Sequence, residues 1–108
     1  MRGVWKTLDE RGVDMVVAGH AHNYQRYQRM NFQGAPTSTG MPSTIVGTGG
    51  KQLIPLTTIS WPATFAKSYD TYYGFLKMVF NTNANGWTQA FKTTTGTGSY
   101  DSIAYGCA

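Results

Sequence analysis

A short run rich in β-branched residues, Val13 to Ala18, lies between two glycines, Gly12 and Gly19, and follows directly on an amphipathic stretch. A run of that length bounded by turn residues reads as a strand buried on both faces. Ahead of it, Val4, Trp5 and Leu8 recur at helical spacing, Asp9, Glu10 and Arg11 form a polar end, and Gly12 supplies the left-handed residue on which helices commonly stop. A helix that runs straight into a buried strand implies an α/β layer. Little chain precedes Val4, so the expectation is the last turn or two of a helix, with its earlier turns outside this sequence and Met1 an internal methionine.

Beyond Gly19 the pattern turns to β. Asn23 to Phe32 alternates Tyr24, Arg26 and Gln28 with Gln25, Tyr27 and Arg29, which predicts an extended or edge segment with one aromatic face. Gln33 to Ser43 contains Gly34, Pro36, Gly40 and Pro42 and reads as a loop, after which Thr44 to Val46 makes a short strand ending in Gly47-Thr48-Gly49-Gly50. From Gln52 to Thr71 two prolines and little periodicity predict an irregular covering loop anchored by Leu53, Leu56, Ile59, Trp61 and Phe65. Tyr73 to Asn81 and Trp87 to Thr93, joined through Asn85-Gly86, read as a β-hairpin, and Ser102 to Tyr105 as a final short strand.

Composition narrows the classes. The 108 residues suffice for one domain or part of one, and 14% aromatic residues are not those of a disordered tail. Charged residues, 13% against ~25% in typical soluble domains, argue against long charged helices. The net charge of +4 is scattered along the chain, with no basic run that would mark a nucleic-acid partner. Asp14 interrupts the longest apolar stretch, far short of the ~20 residues that span a bilayer, so no membrane segment is predicted. Met1 to Arg11 carries five charges and no apolar core, unlike a secretion signal, and the single Cys107 forms no internal disulfide.

Both histidines stand together in Gly19-His20-Ala21-His22, where the buried strand gives way to a loop. In an extended backbone, residues two apart project to one side with Cβ atoms roughly 7 Å apart, within reach of one metal ion or of two neighbouring ions. Gly19 would let the backbone approach such ions. Two imidazoles do not complete a site, because a catalytic zinc takes three protein ligands and a two-metal centre more. The carboxylates Asp9, Glu10, Asp14, Asp70 and Asp101 are none of them well placed by sequence. On spacing alone the favoured reading is two ordinary loop histidines making hydrogen bonds, as in a small β-rich binding module.

The surrounding string is more specific. Gly12-Val13-Asp14-Met15-Val16-Val17-Ala18-Gly19-His20-Ala21-His22-Asn23-Tyr24-Gln25-Arg26 resembles the last signature block of the calcineurin-like metallophosphoesterases, particularly the purple acid phosphatase-like branch, with Gln25 where relatives often carry Glu. Ile45 to Gly50 resembles that family's strand and glycine turn, and Tyr73 to Lys77 its late sheet strand. The family's Asp-x-His, Gly-Asp-x-x-Tyr and Gly-Asn-His blocks have no counterpart here.

The resemblance implies that residues 1–108 form the C-terminal portion of one four-layer αββα sandwich, an α/β (α+β) fold in which this portion is mostly β with an N-terminal helix end. It implies hydrolysis of phosphate esters at a centre of two divalent or trivalent metal ions, iron, zinc or manganese, with His20 and His22 as ligands and no catalysis by these residues alone. Gly19, Asn23, Tyr24 and Arg26 are implied beside the metals or the substrate, with Tyr24, Gln25 or a backbone carbonyl orienting the imidazoles. Its implied partners are a phosphate-ester substrate and the N-terminal half of the same domain, without which poor solubility is expected. Its implied location is extracellular or periplasmic.

Overall fold

The structure, a computed structural model, describes residues 2–56, 65–82, 85–95 and 99–107. Helix α1 spans Arg2–Glu10 and strands β1 to β7 span Val16–Ala18, Tyr24–Met30, Met41–Val46, Phe65–Tyr69, Gly74–Asn81, Gly86–Thr93 and Ser99–Gly106. The predicted helix end is present, and it closes on Gly12 at φ 69°, with Gly12 N donating to Asp9 O (3.1 Å) and Val13 N to Leu8 O (3.1 Å). Those two bonds satisfy carbonyls that the last helical turn leaves open.

The strands form two sheets, ordered β1-β3-β2-β4 and β5-β6-β7. In the first, β1 runs parallel to β3, while β2 is antiparallel to both β3 and β4. The second is an antiparallel meander whose first turn is the predicted hairpin, with Asn85 at φ 52° and every second residue of β6, from Trp87 to Thr93, buried.

Alternation along β2 and β3 divides the first sheet's faces. Tyr27, Ser43 and Ile45 share a cavity of about 340 Å³ with Trp5 of α1, whereas Tyr24, Arg26 and Thr44 reach the second sheet. The order is thus helix, sheet, sheet, the β-rich part of an α/β sandwich. Between the sheets Tyr24 and Phe91 are almost wholly buried and stack at 4.3 Å; burial of such an aromatic side chain contributes about 1.5–3 kcal/mol. The interface also carries polar links: Gln89 accepts from Trp87 Nε1 (3.2 Å) and donates to Thr44 Oγ1 (3.0 Å), so this buried amide is satisfied across the layers.

Four expectations need correction. The run Val13 to Ala18 is not a strand buried on both faces: β1 is three residues long, among the described residues it is an outermost strand bonded to β3 alone, and Val17 is 45% exposed. Asn23 to Phe32 is extended, as expected, but it is not an edge, because β2 (Tyr24–Met30) pairs with β3 on one side and β4 on the other. The side chains of Gln25, Arg26 and Arg29 find their hydrogen bonds within the protein, while Gln28 is exposed. The loop assigned to Gln33–Ser43 ends earlier, since β3 begins at Met41; Pro42 fits there because pairing with β1 starts only at Ser43. The irregular stretch Gln52 to Thr71 contains β4, while Ile59 and Trp61 lie outside the described residues.

Phe75 and Val79 share the outer face of β5 and are more than half exposed, an apolar surface of the kind that favours association.

Candidate metal-ligand loop

Residues Gly19 to Asn23 join β1 to β2 across the end of β3, the strand that separates them. So short a crossing is made by two consecutive three-residue turns. Ala21 N donates to Gly19 O (3.0 Å) around His20, and Asn23 N to Ala21 O (2.9 Å) around His22. The extended geometry inferred for the histidine pair is therefore replaced by turns. His20 sits at φ 75°, the central value of the rarer and strained γ-turn form. Backbone held in such a region costs on the order of 1–3 kcal/mol and is characteristically found at functional sites.

The second histidine is firmly oriented. His22 Nδ1 lies 3.0 Å from Gln52 O, and His22 O accepts from Ile54 N (3.0 Å). A carbonyl only accepts, so the neutral ring carries its proton on Nδ1 and its lone pair on Nε2. A histidine ligand is ordinarily prepared for a metal in this way. A backbone carbonyl thus takes the orienting role for which Tyr24 and Gln25 were also candidates. His20 is exposed and His22 half-buried, so neither ring is sealed in the core.

Behind the loop runs an amide relay. Tyr27 Oη donates to Gln25 Oε1 (2.6 Å), Gln25 Nε2 to Asn23 Oδ1 (2.8 Å), and Asn23 Nδ2 to Ile54 O (3.3 Å). Both amides use donor and acceptor ends, a role that the uncharged Gln25 fills. The glycine turn after β3 packs on the same loop: Gly47 N donates to Asn23 O (3.1 Å), and a Cβ at Gly47 would stand 1.9 Å from Ala21 O. Only glycine allows that approach.

The remaining predicted site residues separate. Gly19 borders open space, with no atom within 4 Å of where a Cβ would stand. Asn23 is buried behind the histidines. Tyr24 and Arg26 turn to the second sheet, where Asp101 accepts from Tyr24 Oη (2.6 Å), Arg26 Nε (2.6 Å) and Arg26 Nη2 (3.1 Å). Burial alone would raise the Asp101 carboxyl, but the hydrogen bonds and charge of Arg26, with the Tyr24 hydroxyl, outweigh it and hold the group below the usual carboxylate range. Burial first, and the carboxylate second, push the Tyr24 phenol well above its ordinary value. For Arg26 the carboxylate outweighs burial and strengthens its hold on its proton.

Sequence reasoning missed two contributors, Gln52 and Asp101. A backbone carbonyl leaves no mark in a side-chain pattern, and Asp101 meets partners more than seventy residues away in the chain.

The donor set fits a metal in part. His22 offers a prepared nitrogen and His20 an exposed one, but among the described residues no group of three or more His, Cys, Asp or Glu side chains comes together. Asp9 accepts from Phe32 N, Asp70 from Leu56 N and Glu10 pairs with Lys6, so those carboxylates are engaged elsewhere.

No protein-family model matches this chain, and no curated protein does. Among solved structures it is similar to a purple acid phosphatase isolated from yellow lupin (Lupinus luteus) seeds, with a TM-score of 0.81 at 21% identity. The match covers 94% of this chain and 19% of that one. The chain thus spans under a fifth of its structural neighbour, and across nearly its whole length it has the fold of a stretch of that protein.

Proposed function

We propose that this chain belongs to a metal-dependent phosphoesterase and supplies two ligands, His20 and His22, to a two-metal site whose other ligands come from polypeptide outside these residues. The observation that carries the reading is the His22 ring held by the Gln52 carbonyl, which leaves Nε2 to a metal, on a loop where the neighbouring histidine is kept at a strained positive φ. The fold shared with a stretch of a purple acid phosphatase supports it. Bound metals of this kind, iron, zinc or manganese, acidify a water molecule and draw charge from a phosphoryl group.

The chain's own residues orient and position. Gln52 fixes the His22 tautomer, Asn23 and Gln25 brace the loop from behind, and Gly47 lets the glycine turn close on it. Tyr24 and Arg26 act at one remove, since their bonds to Asp101 fasten the start of β2 to the second sheet. In this reading the substrate is a phosphate ester, the domain is completed by an N-terminal half, and the protein works outside the cytoplasm. No helix among the described residues is long and apolar enough to cross a membrane.

The test compares the protein carrying this chain with its His20→Ala and His22→Ala variants for metal content and for hydrolysis of p-nitrophenyl phosphate. Loss of metal and of hydrolysis in both variants, with unchanged circular dichroism, is the expected result. Equal metal content in all three would leave the other class of function, a β-rich binding module in which the histidines are incidental.

A further inference from the structure

The histidine loop is gripped by a strap from another part of the chain. Residues 52–56 follow the glycine turn without regular secondary structure and run beside the loop. Alternate residues of the strap make the contacts. Gln52 O accepts from His22 Nδ1 (3.0 Å), Ile54 N donates to His22 O (3.0 Å) while Ile54 O accepts from Asn23 Nδ2 (3.3 Å), and Leu56 N donates to Asp70 Oδ2 (2.8 Å). Pro55 falls between the two donating residues, at a position where no N–H is used, and its fixed φ stiffens the strap.

Asp70 holds the far end. The Leu56 side chain is buried, which anchors the strap by packing, but packing leaves the backbone free to turn about its side chain. A hydrogen bond to a carboxylate fixes the direction of the Leu56 N–H. The carboxylate itself stands on a firm base. It lies one residue past the register pair Tyr24–Tyr69, beside the Asn23 end of the histidine loop, and the chain beyond it is pinned to the glycine turn, with Gly74 N donating to Thr48 O (3.1 Å) and Thr48 Oγ1 to Gly74 O (2.9 Å). The loop, the glycine turn and the start of the 70–74 segment thus form one frame, and Asp70 is the side chain that ties the strap to it.

We infer that Asp70 is a positioning residue for His22: by holding Leu56 N it keeps the strap taut, so that the Gln52 carbonyl stays on Nδ1 and Nε2 is left for a metal. The inference rests on the metal-ligand reading for its consequence, and its test separates the two. The protein carrying this chain is isotopically labelled at its histidine nitrogens and stripped of metal with EDTA. The His22 ring nitrogens, assigned by comparison with His22→Ala, are read by NMR at about pH 8, where imidazoles are ordinarily neutral.

Wild type is expected to carry the proton on Nδ1. Asp70→Ala should lower the ratio of Nδ1–H to Nε2–H forms about fivefold, the worth of one neutral hydrogen bond. It should also weaken zinc binding, titrated against a competing chelator, about tenfold, the lower end of what loss of a ligand's orienting partner brings. Asp70→Asn keeps an oxygen to accept from Leu56 N and should restore both values, which it would not do for a carboxylate that met the metal itself. Pro55→Gly loosens the strap without touching Asp70, should move the ratio in the same direction, and supplies the comparison if Asp70→Ala does not fold. An unchanged ratio in Asp70→Ala, or in Pro55→Gly where the first does not fold, would overturn the inference, as would Asp70→Asn behaving like Asp70→Ala or a wild-type ring protonated on Nε2. Zinc binding absent from wild type, beside a ratio that shifts as expected, would set aside the metal reading and leave the positioning of His22 by Asp70 standing.

Discussion

Replacement of Asp101 by alanine isolates the strongest electrostatic link between the two sheets. The carboxylate receives three hydrogen bonds at 2.6, 2.6 and 3.1 Å, and the side chains of Arg26 and Asp101 are only 13% and 6% exposed. Three bonds to a charged group would sum to about 4.5–9 kcal/mol if each contributed 1.5–3. Burying the carboxylate opposes that gain, so the relevant quantity is the cost of leaving the Arg26 guanidinium buried without a counter-ion, about 3–5 kcal/mol. Asp101→Asn keeps the shape and part of the hydrogen bonding and should lose less, about 2 kcal/mol. Arg26→Met in the Asp101→Ala background should recover much of the loss, because an apolar pair tolerates the buried site better than a lone charge.

Urea denaturation at pH 7 of wild type, Asp101→Ala, Arg26→Met and the double variant, arranged as a double-mutant cycle with Asp101→Asn measured beside it, gives each of these differences. The same carboxylate sets an acid dependence. Its folded-state pKa lies below the unfolded value, so its contribution is fully present above the unfolded pKa of ~3.9 and disappears as the pH falls through the lowered folded value. Asp101→Asn should lower stability near neutrality and flatten its decline in that acid window, so that the difference from wild type shrinks as the pH falls. A loss below about 1 kcal/mol in Asp101→Ala, the range of exposed ion pairs, or strictly additive effects with Arg26→Met, would refute the reasoning.

Gly47→Ala brings a methyl group against Ala21 O, and the forced shift of the histidine loop should cost about 1–3 kcal/mol and weaken metal retention, read by thermal unfolding and metal analysis. His20→Gly should raise stability by about 1 kcal/mol while it abolishes metal retention, because glycine accepts the positive φ at little cost; a destabilised variant would show that the turn is not strained. Phe75→Lys with Val79→Thr should increase the soluble yield without lowering the unfolding free energy by more than about 0.5 kcal/mol per site, read by urea denaturation, since both side chains are more than half exposed.

Local signals in the sequence carried the helix end and the hairpin. The helix stop at Gly12 and the turn at Asn85-Gly86 are set by backbone preferences of one or two residues, and both stand where the pattern placed them. The histidine loop was legible as a location, because the apolar run ends at Gly19, but its two γ-turns were not, since their geometry follows from crossing the end of β3. Strand β4 escaped notice because Phe65-Ala66-Lys67-Ser68-Tyr69 has weak alternation and Pro62 stands just before it; pairing with β2 supplies what the local pattern lacks. The centre of the first sheet was misjudged for a related reason. A strand bearing Gln25 and Arg26 looks solvent-facing until Asn23, beside it in the chain, and Asp101, distant from it, satisfy those two side chains.

The central claim is that the imidazoles of His20 and His22 hold metal, and anomalous diffraction from the metal-loaded protein at the metal's absorption edge tests it most directly. A peak at ~2.0–2.1 Å from His22 Nε2, with Nδ1 still on the Gln52 carbonyl and a second contact to a His20 nitrogen, is the predicted result. Metal found elsewhere, with both rings free of it, would contradict the account.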